Sequence, residues 1–249
     1  GAFSPKTPTD QLDLLAYQAS ELRVVENAVD AESIRGQVPN IEQIDQFRAA
    51  YGDAWRVTLD ERRGVPTLVG GGAIPMLPSD ANGIVWEEFA STCRSTECLP
   101  VSAVEPLARD LLDRWQGIFQ VDPADLVLDP NGSGPFGHMY YLRFQWRHHG
   151  IPVERGSVFF RFNRGNLIQI ATTNIAPIAL DPNPALDLKA ARAVVAGYLG
   201  PFDDGADTFV DKGSLAIVPV TPAGQDPDAF RGPYAGGLGY RLVWRIAVS

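Results

Sequence analysis

No histidine pair in this sequence brackets a His-Glu-x-x-His run, so the helical arrangement that holds a catalytic zinc ion is absent. The chain has 3 histidines in all. His148 and His149 are adjacent, so on a strand they point to opposite faces, and His138 lies well upstream. Cysteine is equally scarce: Cys93 and Cys98 are the only 2, with no further cysteine or spaced histidines to complete a metal site. There is no Gly-x-Ser-x-Gly nucleophile elbow. Gly70-Gly71-Gly72 lacks the Lys-Ser/Thr pair and the helix that a phosphate loop needs, and reads instead as a flexible exit from a hairpin. Positive charge is in deficit, 21 Lys and Arg against 30 Asp and Glu for a net charge of −9. That excludes the basic footprint of a general nucleic-acid binder and a polybasic grip on anionic lipid. No apolar run approaches the roughly 20 residues of a spanning helix, so no membrane partner is expected.

What is present favours a packed core with many short elements. Hydrophobic residues make up 45% of 249, and 24 Gly and 20 Pro supply turns. The chain is centred on two alternating runs, residues 139–148 and 151–162, joined by a polar corner containing Gly150. Alternation of this kind predicts paired antiparallel strands. Tyr140, Leu142, Phe144 and Trp146 share one face of the first run, and Tyr141, Arg143, Gln145 and Arg147 share the other.

Around this hairpin the spacing predicts an α+β fold of two related modules, each a helix packed on an antiparallel sheet, with an N-terminal arm. Residues 1–40 read as the arm, with Asp10 capping a short helix that carries Leu12, Leu15 and Ala16. Residues 41–100 form a strand-rich segment. It comprises an amphipathic helix over 41–50 ended by Gly52, a hairpin over 55–69 with Pro66 at a sheet edge or a strand start, and an irregular loop with both cysteines. In residues 101–176, Ser102 and Glu105 are spaced as a capping box for a helix ending at Gly117. A strand near 126–128, the central hairpin and a third strand over 167–171 follow. Residues 185–249 hold a helix opened by Asp187, then strands over 215–220 and 239–248.

The residues alone show no catalytic centre. His148 and His149 read as solvated turn residues rather than catalysts. Tyr140, Phe144, Trp146, Phe159, Phe160 and Phe162 read as a core stripe, with a ligand groove as the alternative. Cys93 and Cys98, with four residues between them in a polar loop, are candidates for a small disulfide in an oxidising compartment.

The strand rich in aromatics, Arg and Gln, followed by His149-Gly150-Ile151-Pro152-Val153, an apolar strand and a turn with Gly165, resembles the FTP module. That module belongs to the propeptides of fungalysin- and thermolysin-type zinc metallopeptidases. Trp115 to Phe119 and Asp129 to Gly137 are similar to its lead-in. Residues 188–199, 215–220 and 238–248 resemble the PepSY module that follows it, above all Gly239-Tyr240-Arg241-Leu242-Val243-Trp244. The chain departs from the pattern at Glu154 and Arg155, where small or aromatic residues are expected.

The resemblance implies a secreted or periplasmic propeptide that chaperones the folding of its peptidase domain and inhibits it, without being an enzyme itself. The partner it implies is the cognate zinc metallopeptidase catalytic domain, with no cofactor in this chain and zinc only in that domain. His149, Gly150, Ile151, Pro152, Val153, Arg143 and Gln145 are the family-motif and interface candidates. Ala247, Val248 and Ser249, where a catalytic domain is expected to begin, are candidates to enter the partner's cleft. The start, Gly1-Ala2-Phe3-Ser4-Pro5, reads as a trimmed end.

A competing reading is a free-standing secreted peptide-binding or protease-inhibitor module that grips a peptide by strand addition. A distant third is a hydrolase using His138 or His148.

Overall fold

The computed structural model describes residues 22–86, 89, 94–199 and 208–248. In chain order it contains β1 (Ala28–Asp30), α1 (Ile41–Tyr51), β2 (Arg56–Asp60), β3 (Val65–Pro75), α2 (Val101–Arg114) and the single turn α3 (Gln116–Phe119). These are followed by β4 (Leu126–Leu128), β5 (Gly134–Phe136), β6 (Met139–His148), β7 (Ile151–Asn163), β8 (Asn166–Thr173), α4 (Leu188–Leu199), β9 (Ser214–Val220) and β10 (Gly239–Arg245). The fold is α+β. One antiparallel sheet runs β1-β2-β3-β8-β7-β6-β4, β5 also pairs with β6, and the β9–β10 hairpin joins through β7.

Alternation places one face of this sheet against the helices. Tyr140, Phe144, Phe160 and Phe162 are fully buried there, together with Val57, Val69 and Ile170 from neighbouring strands. From the helices, α1 contributes Ile44 and Phe47, and α2 contributes Val104, Ala108, Leu111 and Leu112. Phe47 is an aromatic hub, in edge-on contact with Tyr51, Trp55 and Trp115 at centroid distances of 4.9, 5.5 and 5.2 Å. Each such pair adds about 0.5–1.5 kcal/mol to what burial itself contributes.

Several local expectations change. The capping box at Ser102 does not form, because the cap position falls two residues earlier, at Pro100, which has no side-chain cap. Glu105 instead accepts from Arg109 Nε at 2.9 Å and Nη2 at 2.7 Å. Arg109 in turn donates to Leu126 O at 3.0 Å and lies over the Phe144 ring, tying the helix to the sheet. The helix ends at Arg114 rather than Gly117, with α3 following. Gly70-Gly71-Gly72 is not an exit from a hairpin but part of β3. Residues 71–73 bulge there opposite the single residue Ile168. Gly71 has φ +94°, and a Cβ at Gly72 would collide with the Trp55 indole, so the bulge requires glycine.

Within 22–40, β1 is an edge strand on β2. The helix read at Asp10, Leu12, Leu15 and Ala16 lies outside the described residues. Asp187 does cap α4: its Oδ1 accepts from Ala190 N at 2.7 Å.

Two long-range features hold the C-terminal hairpin to the sheet. Gln145 pairs with Ser157 and Arg147 with Pro152, so residues 153–156 of β7 stand opposite Trp146 alone. This wide bulge turns Val153 outward into a parallel pair with Ile217 of β9. Arg155 sits at its crest with φ +54°. A Cβ on Gly156 would come 3.0 Å from Val153 and 3.2 Å from the Trp146 ring, so a larger residue there would have to push both side chains aside. The second feature is the loop between β9 and β10, which clasps the β2–β3 turn. The Arg62 side chain is 1% exposed and donates through Nη2 to Asp226 O at 2.9 Å and Pro227 O at 2.8 Å. Gly237 N bonds Arg62 O at 2.9 Å, Ala235 N bonds Glu61 O at 2.8 Å, and Tyr234 OH bonds Gly64 O at 3.1 Å.

Candidate functional site

Among the described residues, no element covers the sheet face opposite the helices. Register rows crossing it can be followed residue by residue. One runs Arg143, Phe159, Ala171, Leu68, Thr58 and Asp30, and the next runs Tyr141, Arg161, Gln169, Gly70 and Arg56. At its centre Tyr141 and Phe159 stack at 5.7 Å with an interplanar angle of 23°. The Arg161 guanidinium lies 5.9 Å from the Tyr141 centroid, a cation–π distance. Exposed apolar side chains continue the surface: Leu68 on β3, Val127 on β4 and Phe136 on β5. Arg56, Thr58, Leu68, Ile168 and Gln169 line a shallow depression of about 310 Å³ on this face.

Where the face meets the β9–β10 hairpin it deepens into a cleft of about 240 Å³. Arg143, Gln145 and Asp129 form one wall, Pro152 to Ser157 the bulged floor, and Ala216 and Arg245 the hairpin side. Arg143 is anchored from its main chain: its N–H donates to Ser133 Oγ at 2.9 Å, and its carbonyl accepts from Asp129 N at 2.8 Å. Its side chain is 54% exposed, and its Nε stands 4.0 Å from Asp129 Oδ2, a loose pairing that leaves most of the charge to solvent.

The family-motif residues are thus only partly brought together. Arg143, Gln145, Pro152 and Val153 line the cleft. His149 and Gly150, with φ +49° and +80°, form the tight turn beyond it. Ile151 pairs with His148 and packs on the core. The rings of His148 and His149 lie 4.3 Å apart. Burial, then the neighbouring His149, holds the His148 imidazole below its ordinary pKa. His138 lies apart from them, at the turn before β6. Among the described residues no group of three His, Cys, Asp or Glu stands together as a metal site, and no helix is long and apolar enough to cross a membrane.

Cys98 ends a short 3-10 turn, Thr96–Cys98, and is disulfide-bonded; Cys93 lies outside the described residues. Ala247 and Val248 lie against residues 209–211. Val210 N donates to Ala247 O at 2.9 Å, and Val248 bridges Phe209. Ser249 lies outside the described residues.

Sequence reasoning missed Arg155 and Arg245 at the cleft and Arg161, Arg56 and Leu68 on the open face. It also placed Phe159 in the core stripe, whereas Phe159 is half-buried on the outer face. Parity was the available signal, since Phe159 and Arg161 alternate with the buried Phe160 and Phe162.

No protein-family model matches the sequence, and no curated protein matches it. Among solved structures, the C-terminal domain of Bacillus megaterium YpeB is similar at 11% identity and a TM-score of 0.32, over 86% of this chain and 82% of that one. So distant a likeness carries no argument about this chain, and the α+β assignment stands on the strand pairing itself.

Proposed function

We propose that this chain is a partner-binding pro-region: the FTP and PepSY portion of a secreted or periplasmic zinc metallopeptidase precursor, which assists folding of the catalytic domain and holds it inactive. The observation that supports this reading is a sheet face that no described residue covers, bearing arginine and aromatic residues, on a sheet whose other face packs on the helices. Monomeric proteins seldom leave such a contiguous, partly apolar surface without a use. It adjoins the motif residues Arg143, Gln145, Pro152 and Val153 on which the resemblance rests. A docked pro-region of this kind lowers the barrier to folding a large, non-local β-rich domain and covers its cleft afterwards. Zinc belongs, in this reading, to the catalytic domain. A disulfide at Cys98 suits an oxidising compartment.

The test adds the purified chain to the cognate catalytic domain, following peptidase activity against molar ratio and refolding yield with and without the chain. Stoichiometric inhibition together with a raised yield is expected. Neither effect at molar excess refutes the reading.

A second reading, a free-standing peptide binder, is favoured by β10, which pairs with β9 on one edge only among the described residues. An extended peptide would add to that edge. Chemical shift changes confined to β10 on adding unstructured peptides would favour this reading over the first.

A further inference from the structure

We propose that the open sheet face is a cationic receptor for an acidic, extended polypeptide segment of the partner, an inference that rests on the pro-region reading for the partner's identity but not for its chemistry. The chain as a whole carries a net charge of −9, yet this face has the opposite sign. Arg56, Arg143 and Arg161 stand on adjacent register rows, with Arg155 and Arg245 added at the cleft; among the described residues the acids beside them are Asp129 next to Arg143, Glu154 in the cleft floor and Asp30 on the edge strand. Arg56 forms no ion pair or hydrogen bond among the described residues, and Arg143 has only its 4.0 Å contact with Asp129. Basic side chains spread across one face, against the sign of the whole molecule, steer an acidic partner to this face and repel it elsewhere.

Unsatisfied polar atoms point to the occupant more narrowly. Arg161 Nε and Asn163 Oδ1 are buried and have no hydrogen-bond partner among the described residues. They belong to residues two apart on β7, so both side chains share one face, and both residues are half-buried. One is a donor that needs an acceptor, and the other is an acceptor that needs a donor. Both atoms are enclosed in this arrangement, so the side chains turn outward to meet an acidic peptide, which supplies a carboxylate for Arg161 and a main-chain N–H for Asn163. Inorganic polyphosphate supplies acceptors only. The Tyr141–Phe159 stack between the arginines offers an apolar seat for alternate side chains of the same segment.

The test uses the full chain and a fluorescein-labelled peptide alternating Glu with Leu, read by anisotropy. A Lys-for-Glu peptide serves as control and inorganic polyphosphate as competitor. Salt-dependent binding of the acidic peptide is expected. A loss of about tenfold or more in affinity is expected in the double variant Arg56→Glu/Arg143→Glu, whose positions are exposed and leave the core untouched. Arg161→Lys keeps the charge but removes Nε, and a weakened affinity is expected there too. Equal affinity in the double variant, equal binding of the Lys peptide, or polyphosphate competing as well as unlabelled acidic peptide each overturns the proposal. If the wild-type chain binds the acidic peptide yet fails to inhibit the catalytic domain, the pro-region reading falls and the receptor stands. If the double variant inhibits that domain as potently as wild type, the receptor falls and the pro-region reading stands.

Discussion

Asp60 and Arg63 form an ion pair that water scarcely reaches: Arg63 Nε donates to Asp60 Oδ2 across 2.6 Å, with side-chain exposures of 3% and 1%. Asp60 Oδ1 also accepts the main-chain N–H groups of Asn27 and Arg62, each at 3.0 Å. Arg63 Nη1 reaches Thr172 Oγ1 on β8, and Thr172 donates to Pro66 O. The network therefore locks the β2–β3 turn to the middle of the sheet. Removing Asp60 leaves the Arg63 charge buried with only a 4.0 Å contact to the half-exposed Glu26 carboxylate. Asp60→Ala is accordingly expected to destabilise the fold by about 3–5 kcal/mol. The urea midpoint reads this directly, and an unchanged midpoint with unchanged slope would refute it.

The clasp at Arg62 predicts a local effect as well as a global one. Arg62→Ala removes the donor to the carbonyls of Asp226 and Pro227 and the guanidinium over the Phe230 ring, which lies 5.1 Å away. Asp226 is exposed and Pro227 half-buried, so water can replace the lost donor and the main effect is loss of the tether on the loop. The loop between Val220 and Gly239 is therefore expected to become the preferred site of limited proteolysis, at protease levels that leave the wild-type loop intact. Mass spectrometry of the first fragments checks this. First cuts elsewhere at an unchanged rate would count against the clasp.

Buried tyrosines set the alkaline limit of stability. Burial pushes the phenols of Tyr140 and Tyr234 up to about 12 from an ordinary 10.0, and that of Tyr240 upward as well. A group whose folded form holds its proton to higher pH contributes stability that is complete below the unfolded pKa and is lost as pH rises toward the folded one. Melting temperature should therefore fall as pH rises from about 10 to 12. Tyr140→Phe and Tyr234→Phe should flatten that fall while losing the hydrogen bonds to Leu99 O and Gly64 O. On the acid side, His148 is held below its ordinary 6.5, so the unfolded chain takes up its proton first. Stability due to that histidine is complete above this value and declines below it. His148→Gln should remove that part of the acid dependence.

Much of the secondary structure was legible because its signals are local. Alternation from Met139 to Phe162 marks two strands whichever elements surround them, and the β6–β7 turn at His149-Gly150 shows the positive φ values that a two-residue hairpin turn needs. The stripe Ile41, Ile44 and Phe47 marks α1 in the same way. Local rules failed where a distant partner competed for a residue. Glu105 has the spacing of a capping box but serves Arg109, which is drawn to Leu126 O and the Phe144 ring. The glycines at 70–72 read as an exit, yet the bulge over Trp55 needs them inside a strand.

By itself, then, the sequence determined the α+β class, the central hairpin and the parity that sends Tyr141, Arg143 and Gln145 away from the core. Those properties follow from the period of the backbone and the drive to bury one face. The tertiary structure decided that Arg143, Arg161 and Arg56 share one sheet face that no described residue covers, that residues 153–156 hand β7 over to β9, and that Arg62 holds a loop more than 160 residues away. Such relationships depend on strand order and long-range register, which are set by contacts among residues far apart in the chain and leave no periodic trace along it.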